Sequence, residues 1–195
     1  IIHMIKIKNH TISKSSQIFF IAEIGINHNG SLDNVYKLIK ECKAAGADAV
    51  KFQKRTIDVV YTSEELTKPR ESVFGKTNGD LKRGLEFSYD DYKKIDEICN
   101  SENIVWFASC WDEESVDFIN KFNVPCFKIA SASLTDKKLL QFTRSKNKPI
   151  LLSTGMSTTD EIDKAINILD KEKLVLMHST SSYPCKTEEL NLKVI

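Results

Sequence analysis

Residues 104–177 read IVWFASCWDEESVDFINKFNVPCFKIASASLTDKKLLQFTRSKNKPILLSTGMSTTDEIDKAINILDKEKLVLM, and their rhythm decides the fold. Four short apolar runs stand in this stretch, at 104–108, 126–130, 149–152 and 174–177, with amphipathic segments between them. Runs that are apolar on both faces are the mark of strands in a parallel sheet covered by helices. They begin about 20–25 residues apart, the length of a minimal strand–loop–helix–loop unit, which favours a TIM-type barrel over an open doubly wound sheet. The intervening segments predict helices at 112–122, 135–145 and 158–169, the last opened by a capping box of Thr158 and Glu161. Upstream, 18–24 and 47–52 read as two more strands, separated by a helix over 32–45 with Leu32, Val35, Leu38, Ile39 and Cys42 at helical spacing. Ser88 with Asp91 starts a helix reaching about residue 100. Residues 59–87 break the rhythm; polar, and carrying Pro69, Gly75, Gly79 and Gly84, they read as one long loop of the functional or mobile kind.

The fold expectation is therefore α/β, a TIM (β/α)8-type barrel truncated after about six βα units. Residues 1–17 read as a lead-in, with 1–3 as additions ahead of Met4, and residues 18–195 as a partial barrel domain. A dinucleotide fold is disfavoured, because the turn after the first strand, Gly25-Ile26-Asn27-His28-Asn29-Gly30, does not match G-x-G-x-x-G. A chain of this extent is expected to expose apolar strand edges.

Charged residues make up 28% of the chain and nearly cancel to a net +1, with lysines scattered beside Asp and Glu along helices. That excludes the concentrated basic face of a nucleic-acid partner. No apolar run reaches the ~18–20 residues of a membrane helix. Five cysteines, odd in number and without a C-x-x-C pair, argue against a disulfide framework or structural zinc and for a reducing, cytoplasmic setting.

In a barrel of this type the chemistry sits at the C-terminal ends of the strands. There the sequence places Glu23, Asn27 and His28 after the first strand and Lys51 and Gln53 on the second. Ser109 and Cys110 follow the third strand, and Lys128, Ser131 and Ser133 the fourth. Ser153 and Thr154 close the fifth, and His178, Ser179, Thr180 and Ser181, with Tyr183 beyond, the sixth. Two lysines among hydroxyls suit a small, highly charged anion such as a phosphate or carboxylate. Glu23, Asn27 and Gln53 add groups for hydroxyls or amides of a second substrate. Structural readings stand beside these: each lysine could snorkel to water, and His28 with Asn29-Gly30 could form the turn into the first helix. His178 could be a satisfied rim histidine, and Cys110 reads more as a small buried filler than as a nucleophile.

Five segments in order resemble the motifs of the sialic acid synthases: Ile21-Ala-Glu-Ile-Gly-Ile-Asn-His-Asn-Gly30, Lys51-Phe-Gln53, Phe127-Lys-Ile-Ala-Ser131, Leu152-Ser-Thr-Gly-Met156 and His178-Ser-Thr-Ser-Ser-Tyr-Pro184. The resemblance runs from about Met4 to Ile195. It implies a TIM barrel followed by a small antifreeze-like domain, absent from this chain. It also implies homodimers, and condensation of phosphoenolpyruvate with an open-chain N-acyl hexosamine such as N-acetylmannosamine, with release of phosphate. By position, Lys51, Lys128, Ser131 and Ser153 should bind phosphoenolpyruvate, while Glu23, Gln53 and Tyr183 line the reacting atoms and the sugar. Glu23 is the candidate for moving a proton. A divalent metal, manganese or magnesium, is implied as the Lewis acid on the sugar aldehyde, with its histidine ligands beyond Ile195 and none in this chain.

The chain departs from the family pattern at Cys110, where a threonine often contacts phosphate, and at Ser133, where Asp or Glu is common. Ser179 replaces a cysteine, and Ser181 stands where some N-acetylneuraminate synthases carry asparagine. The alternatives that stay open are a legionaminate or pseudaminate synthase, another phosphoenolpyruvate-condensing 3-deoxy-sugar-acid synthase, and a non-catalytic sugar- or anion-binding partial barrel.

Overall fold

The computed structural model describes residues 4–169 and 171–194. The chain divides into two compact units, residues 17–125 and residues 126–195 together with 1–16. Residues read as a bare lead-in carry an antiparallel hairpin, β1 (Ile5–Ile7) with β2 (His10–Ile12), in which Ile5 and Ile7 alternate inward around exposed Lys6. This two-residue alternation is the only signal such short strands offer.

The unit of residues 17–125 begins with β3 (Ile21–Gly25), α1 (Leu32–Ala44) and β4 (Ala49–Lys54). Strand β3 starts later than the apolar run predicts, because the backbone of Phe20 is bonded to Asp48: its N–H donates to the Asp48 carboxylate at 2.8 Å and its carbonyl accepts from the Asp48 N–H at 2.9 Å. Ile18 and Phe20, ahead of the strand, are 74% and 60% exposed.

The segment expected as a loop is structured. It forms α2 (Ile57–Val60), α3 (Ser63–Thr67), a hairpin of β5 (Pro69–Ser72) and β6 (Gly75–Thr77), and α4 (Asn78–Gly84). Capping boxes of Thr62 with Glu65 and Thr77 with Asp80 start two of these helices. Pro69 is accommodated because a two-stranded ribbon has free edges.

Then follow α5 (Tyr89–Ser101), opened by the Ser88–Asp91 box, β7 (Val105–Cys110) and α6 (Glu113–Asn120). The three long strands are parallel in the order β7-β4-β3. Tyr92, Ile95 and Cys99 recur at helical spacing and bury one face of α5. Tyr92 stacks on Trp106 at 5.8 Å between ring centroids and meets Phe52 and Phe118 edge-on. Its hydroxyl donates to the Gln53 carbonyl at 3.1 Å, so the buried phenol is satisfied while it anchors the end of β4.

The second unit continues with β8 (Phe127–Ile129), α7 (Lys137–Ser145), β9 (Ile150–Ser153), α8 (Thr159–Leu169) and β10 (Leu174–Met177). Its strands are parallel in the order β10-β9-β8, with Lys128 opposite Leu151 and Met177 opposite Ser153. Ile129, Leu140, Ile150, Leu152, Ala165 and Leu169 form its core. Leu176 on β10 is 46% exposed. Among the described residues no helix is long and apolar enough to cross a membrane.

Candidate active site

Side chains alternate across a strand, so Lys51 and Gln53 share one face of β4 while Phe52 turns to the aromatic cluster. Register sets Glu23 opposite Lys51 and Gln53 opposite Ser109. The Lys51 Nζ reaches both neighbours, the Glu23 Oε2 at 2.5 Å and the Ser109 Oγ at 2.8 Å. Lys51 is only 8% exposed, and burial pulls its pKa down while the Glu23 carboxylate pulls it back up. The Glu23 side chain keeps 49% of its surface, so its carboxylate is open to a ligand. Beside it, Gly25 adopts φ +56°, and a Cβ there would lie 2.8 Å from Glu23 Oε1 and 3.3 Å from Gln53 Nε2. Glycine keeps the space between these two polar groups free.

Asn27 and His28 belong to the turn that follows. Asn27 is exposed, and its amide donates to the Ile24 carbonyl at 3.0 Å. His28 is 2% exposed; its Nδ1 accepts from the Gly30 N–H at 3.1 Å and its ring lies 4.3 Å from that of Phe87. Burial lowers its pKa to about 4, opposed by a hydrogen bond to the Gly25 backbone. The ring is thus held by the backbone of the turn, in which Asn29 and Gly30 take positive φ. Cys110 is 2% exposed, its thiol pushed far up by burial, and it donates to the Ser115 carbonyl at 3.6 Å, the geometry of a filler.

Three further residues around these strand ends, Asp112, Glu86 and Arg55, are not strand-terminal and escape a reading of strand termini alone. The buried Asp112 carboxylate accepts from the Thr56 N–H and Oγ1 at 2.8 Å each, and from the Ser115 N–H at 2.8 Å and Oγ at 2.6 Å. It caps α6 and ties it to the segment after β4. Glu86 accepts from the Lys54 Nζ at 2.9 Å and the Arg55 N–H at 3.3 Å. Arg55 is 6% exposed and donates to the Gln53 Oε1. A cavity of about 520 Å³ opens beside them, lined among others by Lys54, Arg55, Arg83, Glu86 and Lys121. The alternation of β4 carried the signal for Arg55, which is the next residue on the face of Lys51 and Gln53.

In the other unit Lys128, 7% exposed, donates to the Ser153 Oγ at 2.6 Å and the Ile129 carbonyl at 2.7 Å. Ser131 opens a 3-10 turn that ends at Ser133, which is 8% exposed. The Ser131 Oγ accepts from the Gly155 N–H at 2.9 Å. A Cβ on Gly155 would stand 2.7 Å from Ser181 Oγ, 3.0 Å from Ser131 Oγ and 3.1 Å from the Ser179 carbonyl, so these groups converge on one glycine. Thr154 is turned away, its N–H and Oγ1 both bonded to the Met177 carbonyl at 3.1 Å. The Nε2 of His178 is buried without a hydrogen-bond partner. Tyr183 is 97% exposed and is not gathered with the rest. A buried ammonium bonded to a serine hydroxyl is an arrangement that suits a small oxyanion. Among the described residues no group of three His, Cys, Asp or Glu side chains could hold a metal ion.

The chain is 36% identical over 181 residues to the N-acetylneuraminate-9-phosphate synthase of Homo sapiens, matching 91% of this chain and 50% of that one. It is 35% identical over 191 residues to the N,N'-diacetyllegionaminic acid synthase of Legionella pneumophila, matching 93% and 54%. The crystal structure of the N-acetylneuraminic acid synthetase of Leptospira borgpetersenii superposes on the whole chain, covering 65% of that protein, with a TM-score of 0.84 at 28% identity. The fold is accordingly that of the first βα units of a sialic acid synthase barrel. The chain spans about half the length of the relatives it matches. The NeuB family model matches residues 38–195, and with relatives at this level of identity the chain belongs to the NeuB family, that of the sialic acid synthases.

Proposed function

We propose that the protein carrying this chain condenses phosphoenolpyruvate with the open-chain form of an N-acyl hexosamine, N-acetylmannosamine or a close relative, and releases phosphate. The observation that carries this reading is a pair of buried lysines, Lys51 and Lys128, each bonded to a serine hydroxyl at a parallel strand. A buried ammonium is expensive unless a counter-charge answers it. Lys51 has Glu23 as a counter-charge, and each lysine, within its own unit, suits an oxyanion such as a phosphate or a carboxylate. The Ser131 and Ser153 hydroxyls add donors for such oxygens, with Ser133, His178 and Ser181 around them.

In the proposed reaction C3 of phosphoenolpyruvate attacks the sugar aldehyde and forms the new C–C bond. Water adds at C2, and phosphate leaves with cleavage of its C–O bond. Glu23, open on one side, takes a proton from the attacking water or delivers one to the aldehyde oxygen as that oxygen becomes a hydroxyl. Gln53, together with Asn27, serves the sugar. A divalent cation, manganese or magnesium, would supply Lewis-acid polarisation when bound. The described residues do not assemble a ligand set for it. Association as a homodimer and a cytoplasmic location belong to the same proposal.

The test is phosphate release by the complete protein with phosphoenolpyruvate and a panel of aldoses. Turnover of N-acetylmannosamine, its 6-phosphate or a diacetamido hexose, with none of arabinose phosphate or erythrose phosphate, supports the reading. Turnover of only the last two replaces it with a 3-deoxy-sugar-acid synthase. Calorimetric binding of phosphoenolpyruvate without turnover of any sugar replaces it with a binding protein.

A further inference from the structure

Lys51, Gln53 and Arg55 stand at every second position along β4 and its extension, so their side chains share a face. The proximity is electrostatic as well as geometric, since the Arg55 charge helps to lower the Lys51 pKa. Arg55 donates through Nη2 to the Gln53 Oε1. Arginine has five N–H donors and no acceptor, so the oxygen of the Gln53 amide must be the atom facing it. The Gln53 NH2 group is then directed to the other side. That side is the space beside Gly25, where Nε2 stands 3.3 Å and the Glu23 Oε1 2.8 Å from the position a Cβ would take. One donor and one acceptor thus flank the same opening, an arrangement matched by a hydroxyl, which accepts from the first and donates to the second.

Arg55 is itself held on several sides. Its guanidinium lies over the Trp111 ring at 4.9 Å, its Nη1 is 3.9 Å from the Glu86 carboxylate, and its backbone N–H donates to that same carboxylate at 3.3 Å. The following residue, Thr56, is pinned by Asp112 through two bonds of 2.8 Å. A side chain buried and locked in this way has little freedom to release its partner.

We propose that Arg55 is a positioning residue for sugar recognition: it fixes the Gln53 amide with its NH2 group toward the substrate, so that Gln53 and Glu23 together select a sugar hydroxyl. This rests on the reading of Gln53 as a sugar ligand. Arg55 touches no substrate and acts through Gln53. Without it the amide is free to turn and present its oxygen beside the Glu23 carboxylate, where two acceptors face one hydroxyl.

The test uses Arg55→Met, which keeps the stem and removes every donor, Arg55→Lys, which keeps the charge, Gln53→Ala, and the double variant, all in the complete protein. The expected result is a KM for the N-acyl sugar raised roughly tenfold in Arg55→Met, with the KM for phosphoenolpyruvate within about twofold. The double variant should be no worse than Gln53→Ala alone, because both substitutions remove the same contact. Equal rises in both KM values, or effects of the two substitutions that multiply, overturn the proposal. If Arg55→Met does not fold, Arg55→Lys is read by the same criteria. The side-chain NH2 resonances of Gln53 in ¹⁵N-labelled protein give a readout that needs no turnover. They should shift or broaden in Arg55→Lys, and unchanged resonances overturn the proposal. A wild-type protein that turns over no sugar defeats the proposed function while leaving this resonance test in force.

Discussion

The Glu23 carboxylate and the Lys51 ammonium stand on adjacent parallel strands, in register, 2.5 Å apart. They are unequal partners: the lysine is 8% exposed, whereas the glutamate side chain keeps about half of its surface. Burial therefore acts mainly on the lysine and lowers its pKa, with Glu23 opposing. The folded chain holds that proton less tightly than the unfolded chain does, whose value is 10.5. At neutral pH the charged lysine is a penalty on stability, and the penalty fades as pH rises toward 10.5. Lys51→Met should keep or raise the thermal midpoint at pH 7, since an apolar side chain of similar volume needs no counter-charge. The difference from wild type should shrink toward pH 10. The same substitution should weaken phosphoenolpyruvate binding about a hundredfold, the scale of a lost buried charge contact. Scanning calorimetry and titration calorimetry separate the two effects. A midpoint several degrees lower for Lys51→Met would show that the ion pair is a net stabiliser.

His28 should make the chain acid-sensitive over a defined window. Its pKa is lowered from 6.5 to about 4, and the neutral ring accepts the Gly30 N–H on Nδ1. Between these values the unfolded chain binds a proton that the folded chain refuses, so stability falls as pH drops below 6.5. The loss is complete near pH 4 and amounts to about 3 kcal/mol. Above pH 6.5 the residue contributes no pH dependence. His28→Gln should flatten this part of the profile, at the expense of some stability at pH 7 from lost packing on Phe87. Urea midpoints at half-unit pH steps test it; an unchanged slope between pH 6.5 and 4 assigns the acid sensitivity elsewhere.

Asp112 accepts four hydrogen bonds, two from Thr56 and two from Ser115. Asp112→Ala removes the cap of α6 and leaves buried donors unanswered. The expected destabilisation is about 3 kcal/mol in urea unfolding. Asp112→Asn keeps one acceptor oxygen and should lose roughly half of that. A loss below about 1 kcal/mol for Asp112→Ala would mean that water replaces the carboxylate, contrary to its burial.

The strands and long helices were legible in the sequence because burial enforces a period, as with Tyr92, Ile95 and Cys99 on α5 or the unbroken apolar run of β7. Residues 59–87 read as loop because the elements they carry are too short for any period to accumulate. Their markers were local, the Thr62–Glu65 and Thr77–Asp80 capping boxes, and had to be weighed against three glycines and a proline. The polar strand ends were legible for the same reason as the strands. The partners of those ends were not: Glu86 lies 31 residues from the Arg55 it holds, and Asp112 lies 56 from Thr56. No spacing rule reaches that far. His28 carries the converse lesson, since an imidazole in a polar turn reads as a ligand until its burial and its two backbone partners are known.

Gly155 offers the most selective perturbation of the anion cradle. Its N–H donates to the Ser131 Oγ, and its missing side chain leaves room where Ser131, Ser179 and Ser181 converge. Its φ is not in the left-handed region, so Gly155→Ala meets no backbone strain there. The added methyl would stand 2.7 Å from the Ser181 Oγ and 3.1 Å from the Ser179 carbonyl. The hydroxyl can rotate away, but the carbonyl moves only with its backbone. Stability should therefore change by about 1 kcal/mol, the scale of a small overpacking. Affinity for phosphoenolpyruvate or inorganic phosphate should fall about tenfold or more, because the donors around the anion are pushed apart. Titration calorimetry with both anions checks this on one sample. A Gly155→Ala variant that binds phosphate as tightly as wild type would place the anion elsewhere than at this glycine, and would leave Lys128 and Ser153 as a structural pair.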